Sequence, residues 1–159
     1  MLHGGGWDVS LLRQRLASRQ ENVMNSHADR IDLFRNLQSP ATQPQFWARV
    51  APDVDWTVEG THALAGRYHN KQEFIDATFN RLGGVLQGGV RLDVEQMYVD
   101  GDTTIAELHS TSTTNEGASF DNRYCWVCRF DGDTIVEVRA YLDSMMVDYT
   151  IQRNELAKQ

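Results

Sequence analysis

The hydrophobic positions of this chain change period partway along it. From Asp8 to Leu37 apolar residues recur at threes and fours, through Leu12, Leu16, Val23, Ala28, Ile31, Phe34 and Leu37, the spacing of a helical face. A break near Asn25-Ser26 predicts two helices here, with Ser26 and Asp29 placed to cap the second. Pro40 and Pro44 close this region and start a short helical turn over 45–50 that carries Phe46 and Trp47 inward, until Pro52 stops it. Val54 to Glu59 alternates, with Trp56 and Val58 on one side, and reads as a strand ended by Gly60. Asn70 followed by Glu73 has the form of a capping box. Phe74, Ile75, Thr78, Phe79 and Leu82 then make one apolar helix face before Gly83-Gly84.

After Gly88-Gly89 the period falls to two. Turn signals at Asp100-Gly101, Asn115-Glu116-Gly117 and Asp131-Gly132 divide the rest into four strands, over 91–99, 103–114, 119–130 and 134–143. Short turns make these an antiparallel meander, and strands this long must twist and curve to pack. Ser144 can cap a last helix in which Met145, Met146, Tyr149 and Arg153 share a face. The order predicts an α+β fold with helices gathered on one face of a mixed or antiparallel sheet. Residues 1–6 are expected to be a disordered tail, and residues 7–159 a single domain, since 159 residues fit one core.

Composition narrows the function classes. Hydrophobic residues at 41% and charged residues at 23% are those of a folded chain. A net charge of -7 with no basic run argues against nucleic acid as a partner. No apolar stretch nears the roughly 20 residues of a membrane span, and MLHGGGWDVS lacks the layout of a signal peptide, so a cytoplasmic location with no membrane partner is expected. Cys125 and Cys128 form a CxxC pair, but three residues apart on a strand they point to opposite faces, and no second pair completes a zinc site; they read as strand fillers. No His or acid cluster has metal-ligand spacing, and there is no GxGxxG, P-loop or nucleophile motif. The expectation is no metal and no cofactor, which leaves acid–base chemistry or plain binding.

Two segments carry a family resemblance: FWARVAPDVDWTVEGTHALAGRYHNKQEF at 46–74 and DNRYCWVCRFDGDTIVEVRAYLDS at 121–144. With the order of elements, they resemble the SnoaL-like, ketosteroid-isomerase-related group of the nuclear-transport-factor-2 (NTF2) superfamily over roughly residues 27 to 150. The resemblance implies a cone-shaped fold, a curved and mostly antiparallel sheet wrapped around N-terminal helices to enclose an apolar pocket, and assembly as a homodimer. It also implies an acid near the end of the last strand, a position that Asp143 holds in AYLD. No match is recognisable to the tyrosine and protonated-acid pair of true steroid isomerases.

The residues add candidates of their own. Asp143 shares a strand face with Tyr141, Arg139 and Glu137, and if that face lines the cone, desolvation would raise its pKa and improve it as a base. The alternative is a helix cap or a surface acid. His109 lies two residues from Glu107 on one face, a possible acid–base pair, although the other face (Ala106, Leu108, Ser110) is better suited to pack on helices and would turn His109 outward. His62, in the loop GTH, is placed for a pocket mouth. Trp56, Asn122, Tyr124, Trp126 and Tyr141 are the candidate substrate-binding residues, the aromatic rings as pocket walls and Asn122 and Tyr124 as donors to a substrate oxygen. The expected function is a cofactor-independent isomerase or cyclase acting on a small hydrophobic carbonyl or polyketide-like molecule. The alternatives are a non-catalytic ligand-binding or dimerisation module, and an epoxide hydrolase or dehydratase.

Overall fold

The period change marks the boundary between a helical first part and a sheet. The computed structural model describes residues 8–156, and the tail expected over 1–6 lies outside them. Helix α1 (Val9–Arg35) begins where the Asp8 carboxylate accepts the backbone N–H groups of Ser10 and Leu11. It runs unbroken through the expected break at Asn25-Ser26, because neither residue removes a backbone hydrogen bond as proline would. Its second half supplies Leu33 and Phe34, and Leu37 follows; all three are buried, whereas Leu12 and Leu16 lie in solvent rather than in the core. Helix α2 (Gln43–Trp47) is one turn long and buries Phe46.

Strand β1 (Val50–Val58) starts four residues earlier than the alternation suggests. Its register with the last strand slips between Val50 and Asp55, and this irregularity accommodates Pro52, which has no N–H to give a ladder. A short strand missed by the pattern, β2 (Gly66–Tyr68), pairs antiparallel with it. Helix α3 (Lys71–Phe74) is capped by Asn70 Oδ1, which accepts the Glu73 N–H at 2.8 Å. The Glu73 carboxylate reaches back to the His69 N–H instead of closing the box on Asn70. A π-helical turn over Ile75–Asn80 leads to the single turn α4 (Arg81–Gly83).

The four expected strands are present as β3 (Asp93–Asp100), β4 (Thr103–Thr113), β5 (Ser119–Asp131) and β6 (Thr134–Leu142). Antiparallel pairing joins each to the next, and β1 lies parallel to β6, which gives a six-stranded sheet in the order β2-β1-β6-β5-β4-β3. The sheet is curved and unclosed, and its concave face meets the helices. Helix α5 (Ser144–Leu156) then packs Val147 and Ile151 into the same core. Burial alternates strictly along β5, with Phe120, Asn122, Tyr124, Trp126, Cys128 and Phe130 all buried between exposed or half-exposed neighbours. No helix among the described residues is long and apolar enough to cross a membrane.

Candidate functional site

The inner face of the sheet holds a cage of aromatic rings. Trp56 on β1 stacks on Phe74 at 3.9 Å between centroids and meets Trp126 on β5 edge-on at 5.1 Å. Trp47 and Phe79 join the same cluster. Beside these rings lies a cavity of about 40 Å³, lined by residues that include Val58, Phe74, Phe79, Tyr124, Trp126 and Leu142. Thr78 and Phe79 reach it from the π-helical turn, a local widening that recurs at functional sites. A void of this size holds a water or two, so an organic ligand has to displace side chains of the wall as it enters.

No aspartate, glutamate, histidine, lysine or arginine lines this cavity. What faces the interior instead is a set of uncommitted polar atoms. Trp56 Nε1, Ser110 Oγ, Asn122 Nδ2 and Tyr124 Oη are buried and have no hydrogen-bond partner. Such orphans are uncommon in folded proteins and each calls for a reason. Three of them lie on alternate rungs of the ladder, on one face: Tyr124 stands opposite Leu108 and Asn122 opposite Ser110. Burial pushes the Tyr124 phenol well above the usual tyrosine range; the nearby Asn122 amide pulls slightly the other way without reaching hydrogen-bond geometry. Tyr124 is therefore a neutral O–H donor across the physiological range. The Asn122 amide has a fixed orientation, because its Oδ1 accepts the backbone N–H of Asp143 at 3.1 Å and so leaves Nδ2–H as the free end.

The residues named from sequence separate into three places. Trp56, Asn122, Tyr124 and Trp126 come together, buried on the inner face. Tyr141 does not join them: it is exposed on the outer face, opposite Cys125. A bulge between Arg129 and Phe130 shifts the β5–β6 register by one, so that Leu142 rather than Tyr141 is the partner of Tyr124. Asp143 follows Leu142 at the rim, exposed, and its Oδ1 accepts the Met146 N–H at 3.1 Å, which makes it a cap of α5.

The two histidines are engaged elsewhere. His109 is on the outer face, where Nε2 lies 2.5 Å from Asp121 Oδ1 and Nδ1 lies 3.5 Å from Glu95, which also pairs with Arg123. Glu107 shares that face but makes no ion pair with it. His62 is buried in the loop after β1; its Nδ1 accepts the Leu64 N–H, so Nε2 carries the proton and donates to the Glu59 carbonyl. Both ring nitrogens brace the turn, and none remains for a ligand. Cys128 is buried and Cys125 half-buried on opposite faces, with desolvation raising both thiols, and neither forms a disulfide. Ser110 is the polar inner-face residue that sequence reasoning assigned to packing; its place directly across from Asn122 was the signal available.

Comparison with known proteins agrees with this architecture. Residues 42–138 match the SnoaL-like domain. The dimerizing cyclase phiC of Fungal sp. (strain ATCC 74256) is 30% identical over 130 residues, which cover 79% of this chain and 56% of that protein; the chain thus spans about half the length of this relative. An NTF2-like protein from Burkholderia thailandensis E264 is 27% identical with a TM-score of 0.65 over 78% of this chain and 96% of that one. A protein with a ketosteroid isomerase-like fold from Catenulispora acidiphila DSM 44928, solved with trimethylamine, shares the fold at 13% identity, with a TM-score of 0.61 over 77% of this chain and 91% of that one. The matched segment runs from before β1 to the middle of β6 and takes in all but Ala140 and Leu142 of the cavity-lining residues, and the chain belongs to the SnoaL-like domain family.

Proposed function

We propose that the chain is a cofactor-independent cyclase or isomerase for a small hydrophobic carbonyl or polyketide-like compound, bound between the aromatic cage and the Tyr124–Asn122 donors. The observation that carries this reading is Tyr124: a phenol kept neutral by burial, without a partner, on the wall of an apolar cavity. A donor so placed stabilises the negative charge that grows on a carbonyl oxygen when a proton leaves the neighbouring carbon, and low polarity around it strengthens the effect. Asn122 Nδ2–H supplies a second donor, and Trp56 and Trp126 hold the carbon skeleton.

The proton then goes to Asp143 at the rim, whose second carboxylate oxygen is uncommitted among the described residues and whose backbone N–H is tied to Asn122. In a cyclisation, the enolate carbon attacks a second carbonyl of the substrate, one carbon–carbon bond forms, and the proton held by Asp143 returns to the new alkoxide. The similarity to a dimerizing cyclase favours such bond formation over hydrolysis or dehydration. A homodimer is the working form this reading expects. A purely ligand-binding role is the second reading, favoured by a cavity wall with no acidic, basic or histidine side chain.

Thermal shift with acetophenone and its oxygen-free counterpart ethylbenzene tests the oxygen site, since ligand linkage raises the melting temperature. Acetophenone is expected to give the larger rise in the wild-type chain, and Tyr124→Phe to abolish the difference. Equal shifts by both compounds in the wild-type chain would remove the support for an oxygen site. Asp143→Asn separates the two readings: loss of turnover with ligand affinity retained supports the enzyme.

A further inference from the structure

The first half of α1 projects from the body of the protein with an apolar stripe uncovered. Every residue from Val9 to Glu21 is exposed, including Val9 at 57%, Leu12 at 46% and Leu16 at 61%. At 100° per residue these three fall within about 60° of one another, on one face of the helix, while Leu11, exposed at 54%, lies on another side. A helix of about this length with no tertiary packing is marginal in water, so its persistence calls for a surface to cover the stripe. The segment lies outside the residues that match the SnoaL-like domain, so the pocket does not account for it.

Charge says what covers it. The segment from Val9 to Glu21 contains Arg13, Arg15 and Arg19 against one acid, Glu21, so the rest of the chain carries 12 basic against 21 acidic residues, a net of -9. Two such helices laid against each other would bring like charge together. An acidic surface is better suited, and one lies where the helix leaves the body. The hairpin turns Asp100-Gly101-Asp102 and Asp131-Gly132-Asp133 sit side by side at one end of the sheet, joined by a bond from the Phe130 N–H to the Asp102 carbonyl. Just after α1 the Leu37 carbonyl accepts the Leu92 N–H, and ten residues back along the helix the His27 ring reaches the Met97 carbonyl, so the N-terminal half points past that end. Asp133 pairs with Arg49, whereas Asp100 and Asp131 have no ion-pair partner among the described residues.

We infer that the projecting half of α1 docks on the acidic turn end of a second copy of this chain, reciprocally, with Val9, Leu12 and Leu16 against its surface and the arginines facing Asp100 and Asp131. A two-fold arrangement satisfies both helices at once, because each leaves its own body at the end that receives the other. The inference rests on the homodimer reading above and adds which surfaces meet.

Sedimentation equilibrium at low and high salt tests it. The wild-type chain is expected to assemble, more weakly at high salt, and Leu12→Glu/Leu16→Glu to halve the assembled mass without disturbing the core, from which both residues are absent. Two variants sharpen the charge argument: Arg13→Glu/Arg15→Glu/Arg19→Glu, and Asp100→Lys/Asp131→Lys. Neither should assemble with itself, and the two should assemble when mixed, since each helix then meets an end of opposite charge. Monomeric wild-type chain at all concentrations would refute the homodimer reading. A mass unchanged by Leu12→Glu/Leu16→Glu would refute the helix docking while leaving a dimer through another surface. Binding of the helix to phosphatidylserine vesicles, with the assembled mass unaltered by any of these variants, would also overturn it in favour of a lipid surface.

Discussion

The two faces of strand β5 use polar residues in opposite ways. On the outer face Asp121 is hydrogen-bonded to His109, Arg123 pairs with Glu95, and Arg129 pairs with Glu137. On the inner face Asn122 and Tyr124 carry no charge, are buried, and each keeps an atom without a partner. Outer groups of this kind are screened by water and salt and contribute little individually to stability. The orphan atoms, Asn122 Nδ2 and Tyr124 Oη, have lost water and gained no partner within the folded chain, a cost of order 1–3 kcal/mol each that a bound oxygen would repay. A chemically rich outer cluster is thus committed, and an apparently plain inner face is where a ligand can still be bound.

Breaking the inner face should have the larger consequences. Tyr124→Phe is expected to lower kcat on a cyclisable ketone substrate by roughly 10²–10³-fold, the cost of losing one oxyanion donor. Folding stability should stay the same or rise, by up to about 1–3 kcal/mol, because no internal hydrogen bond is lost and one buried orphan is removed; urea unfolding beside steady-state kinetics checks both.

Alkaline titration probes the same burial. Tyr124 and Cys128 both have folded-state pKa values raised by desolvation above their ordinary values of 10.0 and 9.0. Their contribution is complete below those ordinary values and is lost as pH rises beyond them, because the unfolded chain ionises first. Stability should therefore decline from about pH 9 upward, by roughly 1.4 kcal/mol per pH unit for each group once it ionises in the unfolded chain. Cys128→Ala/Tyr124→Phe should flatten that decline in denaturant titrations between pH 8 and 11.

At the rim the effects divide. Asp143→Ala should cost about 1 kcal/mol through the lost cap on α5, whereas Asp143→Asn preserves much of the cap and isolates the proton-transfer role. The outer face should respond least. His109→Gln is expected to change stability by about 1 kcal/mol or less and to leave ligand affinity unchanged, as seen by unfolding and thermal shift. A large loss of affinity in His109→Gln would reverse the ranking of the two faces.

The strands were legible because alternation and three turn signals mark them directly, and all four lie within two residues of their expected bounds. Side-chain facing was harder to read. Tyr124 and Tyr141 are both pocket candidates without a register to relate their strands; the bulge beside Phe130, which no glycine or proline at that position advertises, makes Leu142 the partner of Tyr124 and leaves Tyr141 on the outer face. Asp143 sat at the strand end as the family resemblance implies, but whether an acid there points into a cavity or caps the next helix depends on where α5 begins. The apolar period of residues 8–37 predicted two helices where there is one, and it could not show that only the second half has a body to pack on. His62 was legible as a loop residue, whereas its two backbone bonds arise from a turn geometry that sequence does not specify.

The central claim is that the uncommitted inner donors, Tyr124 above all, polarise a ligand oxygen. Infrared spectroscopy of ¹³C-carbonyl acetophenone bound to the protein measures this directly, because a hydrogen bond weakens the C=O bond and lowers its stretching frequency. The wild-type chain should lower the frequency relative to acetophenone in hexane, Tyr124→Phe should return most of that shift, and His109→Gln should leave it in place. A bound carbonyl with the hexane frequency, or one that Tyr124→Phe does not alter, would contradict the account.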